Sequence, residues 1–156
     1  MTDLPILERR RIEAQILRHV HEVLTERHGR AEADAVIGGA VSRSAIEQGR
    51  EFAARLDHVP DLGDFAAIQH LWTAGGALEI EPIEQTDARM AFDVTRCRYA
   101  EMYREMGLGE IGHLLSCARD GDFCVGFNPE MQLERGGTIM GGAERCDFRY
   151  SLPGKG

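Results

Sequence analysis

Apolar and polar residues alternate with two different periods along this chain, and the period changes near its midpoint. After Pro5, the residues Ile12, Ile16, Val20 and Val23 recur at steps of four and three with charges between them, the spacing of an amphipathic helix. Proline suits the first turn of such a helix, and Gly29 after His28 supplies a stop. A second helix is predicted over about 31–56, carrying Val36, Ala40, Ile46, Ala53 and Leu56. Its internal Gly38-Gly39 pair costs roughly 1 kcal/mol per glycine against alanine. The pair marks either a bend or a place where another helix crosses closely. "HVPDLGD" then breaks the pattern, and Asp61 or Asp64 is placed to cap a third helix through "FAAIQHLWTAGG".

Beyond Gly75-Gly76 the period becomes two. "ALEIEPIEQT" sets Leu78 and Ile80 on one face, and "RMAFDVTRC" does the same with Met90, Phe92 and Val94. "QTDA" between them reads as a hairpin turn, and Pro82 makes the first strand an edge or a bulged one. A helix is predicted over 99–106, closed by Gly107, and another over about 109–118 with Ile111, Leu114 and Leu115 on one side. Strands near 131–135 and 145–152 flank the glycine-rich "GGTIMGG". The expected architecture is α+β, one domain over 1–156. A helical half (1–75) packs on a small, mainly antiparallel sheet of about four strands with inserted helices (76–152), which is expected to bear the site.

Composition narrows the function classes. The 156 residues, 43% apolar and 28% charged, suit a globular protein. A net charge of −8 disfavours nucleic acid as a partner, because phosphate neutralisation needs a basic face. The run Arg9-Arg10-Arg11 is followed by Glu13 and reads as a solvated helix face. No apolar stretch is long enough to span a bilayer, and "MTDLPILERRRIEAQ" lacks a signal core, so the expectation is a cytoplasmic protein with reduced thiols. The four cysteines contain no CxxC pair, a poor signal for zinc. The N-terminal helices either cover the chain's own sheet or form a contact in a homo-oligomer.

The candidate chemistry centres on cysteine and carboxylate. In a helical "EIGHLLSCARD", His113 and Cys117 share a face, where imidazole can take the thiol proton and stabilise the reactive thiolate. The competing reading makes Cys117 core filling, with His113 turned to solvent. Asp120 and Asp122 follow in "RDGD", where they either orient a substrate amine or cap a turn, and turn chemistry alone would explain them. In the last strand Cys146 shares a face with Phe148 and Tyr150, while Asp147 and Arg149 point the other way as a polar surface pair. Cys97 ends a strand and Glu101 lies four residues on. Cys124, between Phe123 and Val125, reads as packing. His70 beside Trp72 reads first as a satisfied core histidine. "RGGTIMGG" lacks the phosphate-binding glycine patterns and reads as a turn or lid.

The stretch 94–152 resembles the L-2-amino-thiazoline-4-carboxylic acid hydrolase family. The likeness rests on Cys97 with Tyr99, Ala100 and Glu101, on Cys117 with Asp120, on "GFNP" at 126–129, on "TIM" at 138–140 and on "CDFRY" at 146–150. It implies hydrolytic opening of a cyclic amidine-like ring, with attack at the carbon between nitrogen and sulfur and a carbamoyl-cysteine product. Two versions suit the residues. In the preferred one Cys117 attacks as thiolate, with His113 or a carboxylate managing protons. In the other, Asp147, Asp120 or Glu101 activates water, and the cysteines shape the pocket. Cys146 is grouped with the catalytic set; Cys97, Glu101, Arg149 and Phe127 are expected against a carboxylate-bearing small molecule, with Arg149 or Arg96 holding the carboxylate.

The leading expectation is therefore a cofactor-free hydrolase. A non-catalytic small-ligand sensor is the alternative from another class. A third reading makes Cys97, Cys117 and Cys146 ligands of zinc or iron, since thiolates favour both.

Overall fold

The computed structural model describes residues 4–153. Helix α1 (Ile6–His28) turns at Gly29, whose φ of 90° suits glycine, directly into α2 (Arg30–Ala54). The stripe that reveals α1 in the sequence is not the face it buries. Ile12 and Ile16 are 55% and 62% exposed, and the inward positions are Ile6, Arg10 and Ala14. Arg10 thus leaves the solvated run expected of Arg9–Arg11 and enters the interior.

Asp61 caps α3 (Leu62–Ile68) in a capping box with Asp64, at 2.9 Å in each direction. The helix expected through "FAAIQHLWTAGG" (65–76) breaks at Gln69 into a short α4 (His70–Thr73) and a 3₁₀ turn. The sheet is four-stranded and antiparallel in the order β1-β2-β4-β3: β1 (Leu78–Gln85), β2 (Arg89–Cys97), β3 (Gln132–Glu134) and β4 (Cys146–Ser151). β1 is an edge strand with irregularities at Glu79/Ile80 and around Pro82, as proline requires. Between the hairpin β1–β2 and β3 lie α5 (Arg98–Glu105), a π-helical turn (His113–Cys117) and α6 (Arg119–Phe127).

Helix α6 is the element that sequence reasoning missed. "RDGD" and Gly126 carry turn signals, yet the segment is helical. The reason is packing against α2. A Cβ on Gly126 would come within 1.9 Å of the Ile46 carbonyl oxygen, and one on Gly49 within 2.3 Å of the Phe123 carbonyl oxygen. The close helix crossing expected at Gly38-Gly39 therefore occurs at Gly49 and Gly126; a Cβ on Gly39 would meet nothing. α6 is held through glycine backbone contact, which propensity scales count against a helix.

The inner sheet face brings β2 and β4 together in register: Met90 opposite Tyr150, Phe92 opposite Phe148, Val94 opposite Cys146. Phe92 and Phe148 stack at 4.9 Å between centroids. Phe65, Phe123 and Phe127 from α3 and α6 pack against the same layer. No helix among the described residues is long and apolar enough to cross a membrane.

Candidate functional site

Two adjoining chambers, each of about 60 Å³, open between the sheet and the helices. Each has room for about two waters at their liquid volume of ~30 Å³. One is walled by aromatics: Phe65, Phe92, Phe123, Phe148 and Tyr150. The other is walled by Val94, Tyr99, Ser116, Arg135 and the thiols of Cys97, Cys117 and Cys146. Arg10, Trp72, Leu78, Arg119, Asp120 and Phe148 line both and mark the junction.

Three separate local structures deliver the sulfurs. Cys97 ends β2 and caps α5, its Sγ accepting the Ala100 N–H at 3.4 Å. Cys117 closes the π-helical turn. Cys146 begins β4 on its inner face, its Sγ accepting the Ile139 N–H at 3.1 Å. All four cysteines are free thiols. Burial pushes Cys97 up to about 11, against the opposing Ala100 N–H. It pushes Cys117 up to about 12, helped by the neighbouring Asp120 charge. Cys146 is raised by burial as well. These are protonated thiols at neutral pH. Among the described residues no three histidine, cysteine or acidic side chains are grouped to hold a metal ion.

The charged part of the wall comes from α1, α6 and the residue after β3. Arg10 donates to both oxygens of Glu13 at 3.1 and 3.3 Å. Arg119 donates from Nη2 to the same carboxylate at 3.2 Å and from Nε to the Leu115 carbonyl at 2.7 Å. Burial, then repulsion from Arg10, draws Arg119 down to about 10. Arg135 donates to Asp120 at 2.7 Å and to the Cys117 carbonyl at 3.0 Å, and lies 4.9 Å over the Phe148 ring. Asp120 keeps 29% of its side-chain surface accessible and lines both chambers. Burial accordingly raises it above the ordinary carboxylate range, and Arg135 only partly opposes this.

The residues expected in the site divide cleanly. Cys97, Cys117, Cys146 and Asp120 converge on the chambers. His113 is exposed and outside them, because the π-helical turn and the approach of Ile111 and Leu115 to the core turn it to solvent. Glu101 is occupied at the surface by Arg96, at 3.0 and 3.2 Å. Asp147 lies on the outer face, where it accepts the Gly136 and Gly137 N–H groups at 2.9–3.0 Å and anchors that loop. Arg149 shares that face and pairs with Asp93 at 3.0 Å, not with Asp147. Phe127 is buried behind the chamber wall, stacked on Phe123. His70 is exposed, while Trp72 lines the junction. The "GGTIMGG" loop is pinned: Arg104 grips the Ile139 carbonyl at 2.6 Å, and Met140 packs on Gly112.

Arg10, Trp72, Arg119 and Arg135 were missed, so the site is not confined to 76–152. Arg10 carried a legible signal: it sits four residues after Ile6 and four before Ala14, on one helix face. Arg119 and Arg135 show no such pattern.

Fold and cavity together define an α+β domain with an enclosed site of small-molecule size, part aromatic and part charged. The family model for L-2-amino-thiazoline-4-carboxylic acid hydrolase matches residues 9–150, and the chain belongs to that family. The match takes in the N-terminal helices, where no motif of the resemblance lies. No curated protein matches the chain. Among solved structures, it is similar to the phenol-responsive sensory domain of the transcription activator PoxR with phenol, at TM-score 0.56 and 13% identity. That likeness covers 89% of this chain and 73% of the other, and it is a likeness of fold.

Proposed function

We propose that this protein is a hydrolase that opens a small cyclic amidine-like ring, of the 2-amino-thiazoline-4-carboxylate type, by water activated at Asp120. The observation that carries the reading is Asp120 itself. It is the carboxylate shared by both chambers, beside three thiols and held by one Arg135 contact. Its raised proton affinity suits a general base better than an ordinary, strongly acidic aspartate would. Asp120 takes a proton from water as the oxygen attacks the ring carbon between nitrogen and sulfur. The C=N π pair passes to the ring nitrogen, which takes up water's second proton as the oxygen becomes the carbonyl. The C–S bond breaks, sulfur leaves with its electron pair, and the Asp120 proton neutralises it. Ring plus water gives the open carbamoyl thiol, and nothing else is consumed.

The thiolate version expected from the sequence has less support. A thiol at about 12 is ionised to roughly one part in 10⁵ at pH 7. His113, its expected proton acceptor, lies outside the chambers. The three thiols suit a soft, polarisable wall against the substrate's sulfur.

A second reading, a ligand-binding sensor without turnover, is favoured by the aromatic chamber and by the fold shared with the PoxR sensory domain. One experiment separates the readings. Protein is incubated with 2-amino-thiazoline-4-carboxylate; released thiol is followed with a chromogenic disulfide, and the product is weighed for one added water. Asp120→Asn keeps the acceptor for Arg135 and is expected to lose at least ~10²-fold in turnover. Cys117→Ala and Cys146→Ala are expected to stay within about tenfold. Loss in Cys117→Ala with an active Asp120→Asn reinstates the thiolate. Binding without product by the unmutated protein establishes the sensor.

A further inference from the structure

Building on the proposed ring-carboxylate substrate, we propose that Arg10 and Arg119, at the junction of the two chambers, are the residues that hold its carboxylate. Neither arginine was expected in the site, and the two assigned to a substrate carboxylate, Arg149 and Arg96, are engaged elsewhere on the surface.

Both side chains are buried, at 5% and 8% exposure, and both line both chambers. A guanidinium hidden to that degree needs a partner for its charge and its donors. Here two guanidiniums share one carboxylate. Glu13 takes Arg10 through Nη1 and Arg119 through Nη2. Among the described residues, Arg10 Nη2 and Arg119 Nη1 have no protein acceptor, and both residues line both chambers. The junction and its immediate wall hold three cations, Arg10, Arg119 and Arg135, against two carboxylates, Glu13 and Asp120. In a chain of net charge −8, the interior cavity is thus short by one negative charge. Arg119 shows the imbalance, since burial and its like-charged neighbour weaken its hold on its proton.

One carboxylate closes that deficit, and the planar guanidinium is the group that holds it through paired hydrogen bonds. A dianion would overshoot. The wall on either side sets the rest of the ligand: Trp72 and Phe148 flank the junction and favour a flat ring. The two chambers are each about 60 Å³, so a ligand spanning both is limited to a small ring with one acid group and little more.

The test is calorimetric titration of the intact protein with benzoate and with benzamide, which share a shape and differ in charge. Benzoate is expected to bind at least ~10-fold more tightly, the scale of a charge-assisted hydrogen bond. Arg119→Met is expected to remove that preference and leave benzamide unchanged. Glu13→Gln removes the competing carboxylate and is expected to tighten benzoate; it also decides the matter if Arg119→Met does not fold. Equal affinity for the two probes, or weaker benzoate binding by a folded Glu13→Gln protein, overturns the subsite. The result is separable from the proposed reaction: ring opening with no acid preference leaves the hydrolase standing without the subsite. Acid-selective binding without turnover does the reverse.

Discussion

Substituting Gly126 by alanine tests whether the crossing of α2 and α6 positions the site. The added Cβ would lie 1.9 Å from the Ile46 carbonyl oxygen and 2.9 Å from the Arg50 nitrogen, distances no real contact permits. Both obstacles are backbone atoms of a 25-residue helix, so no side chain can swing away. Overpacking of well-filled interiors costs about 1–3 kcal/mol, and rigid backbone obstacles put this case at or above ~3 kcal/mol. Alanine's helical preference returns about 1 kcal/mol, leaving a net loss of ~2 kcal/mol or more. For a chain of this size that is a fall in Tm of roughly 4–8 °C. The consequence reaches the chambers, because α6 carries Arg119 and Asp120 at its start. Thermal and urea unfolding followed by circular dichroism measure the loss, with Gly39→Ala as the matched control. A Cβ on Gly39 meets nothing, so that variant should gain stability, by up to about 1 kcal/mol. A Gly126→Ala protein that melts with or above its parent would refute the claim that glycine permits this crossing.

The pH dependence should follow Asp120. Because burial raises its folded value, the acid limb of turnover should lie above the ~3.9 of a free aspartate; a limb at or below that value removes Asp120 as the base. Stability has the matching sign: the folded state favours the protonated form, a contribution complete below the ordinary value and lost as pH rises through the raised one. Asp120→Asn should therefore raise the urea midpoint at pH 8 relative to that at pH 4, compared with the unmutated protein. The thiols give a third prediction. With Cys97 at about 11, Cys117 and Cys124 at about 12, and Cys146 also raised, the native protein should resist iodoacetamide at pH 7.5 and take up four alkyl groups only after denaturation. Rapid native labelling of Cys117 would show a poised thiolate and restore cysteine attack.

Local pattern carried the outline of the fold. Asp61 capping with Asp64, the β1–β2 hairpin, the edge or bulge that Pro82 demands, and the shared face of Cys146, Phe148 and Tyr150 all follow from interactions within a few residues. Alternation places Cys146 on one face and Asp147 on the other whatever the sheet packs against. Pattern failed where the partner was distant in sequence. α6 is helical because Gly126 meets the backbone of Ile46, a contact that makes a helix-weakening residue the right one. The stripe Ile12–Val23 marks a helix correctly but misleads about its buried side, because that side was given to Arg10.

The sequence by itself determined most of the elements, that Cys146, Phe148 and Tyr150 share one face of β4, and that cysteines and an aspartate recur near the ends of elements. Tertiary structure alone decided that Cys97, Cys117, Cys146 and Asp120 surround one cavity, that Arg10 from the first helix and Arg135 from beyond β3 complete it, and that His113, Glu101, Asp147 and Arg149 stand apart. The division has a physical cause. Backbone periodicity is set by neighbours along the chain, whereas burial, proton affinity and charge balance depend on whatever packs nearby in space. Arg10 meets Glu13 within one turn of α1, but Arg119 reaches the same carboxylate from 106 residues away, so the two arginines acquire a shared role only when the chain has closed around them.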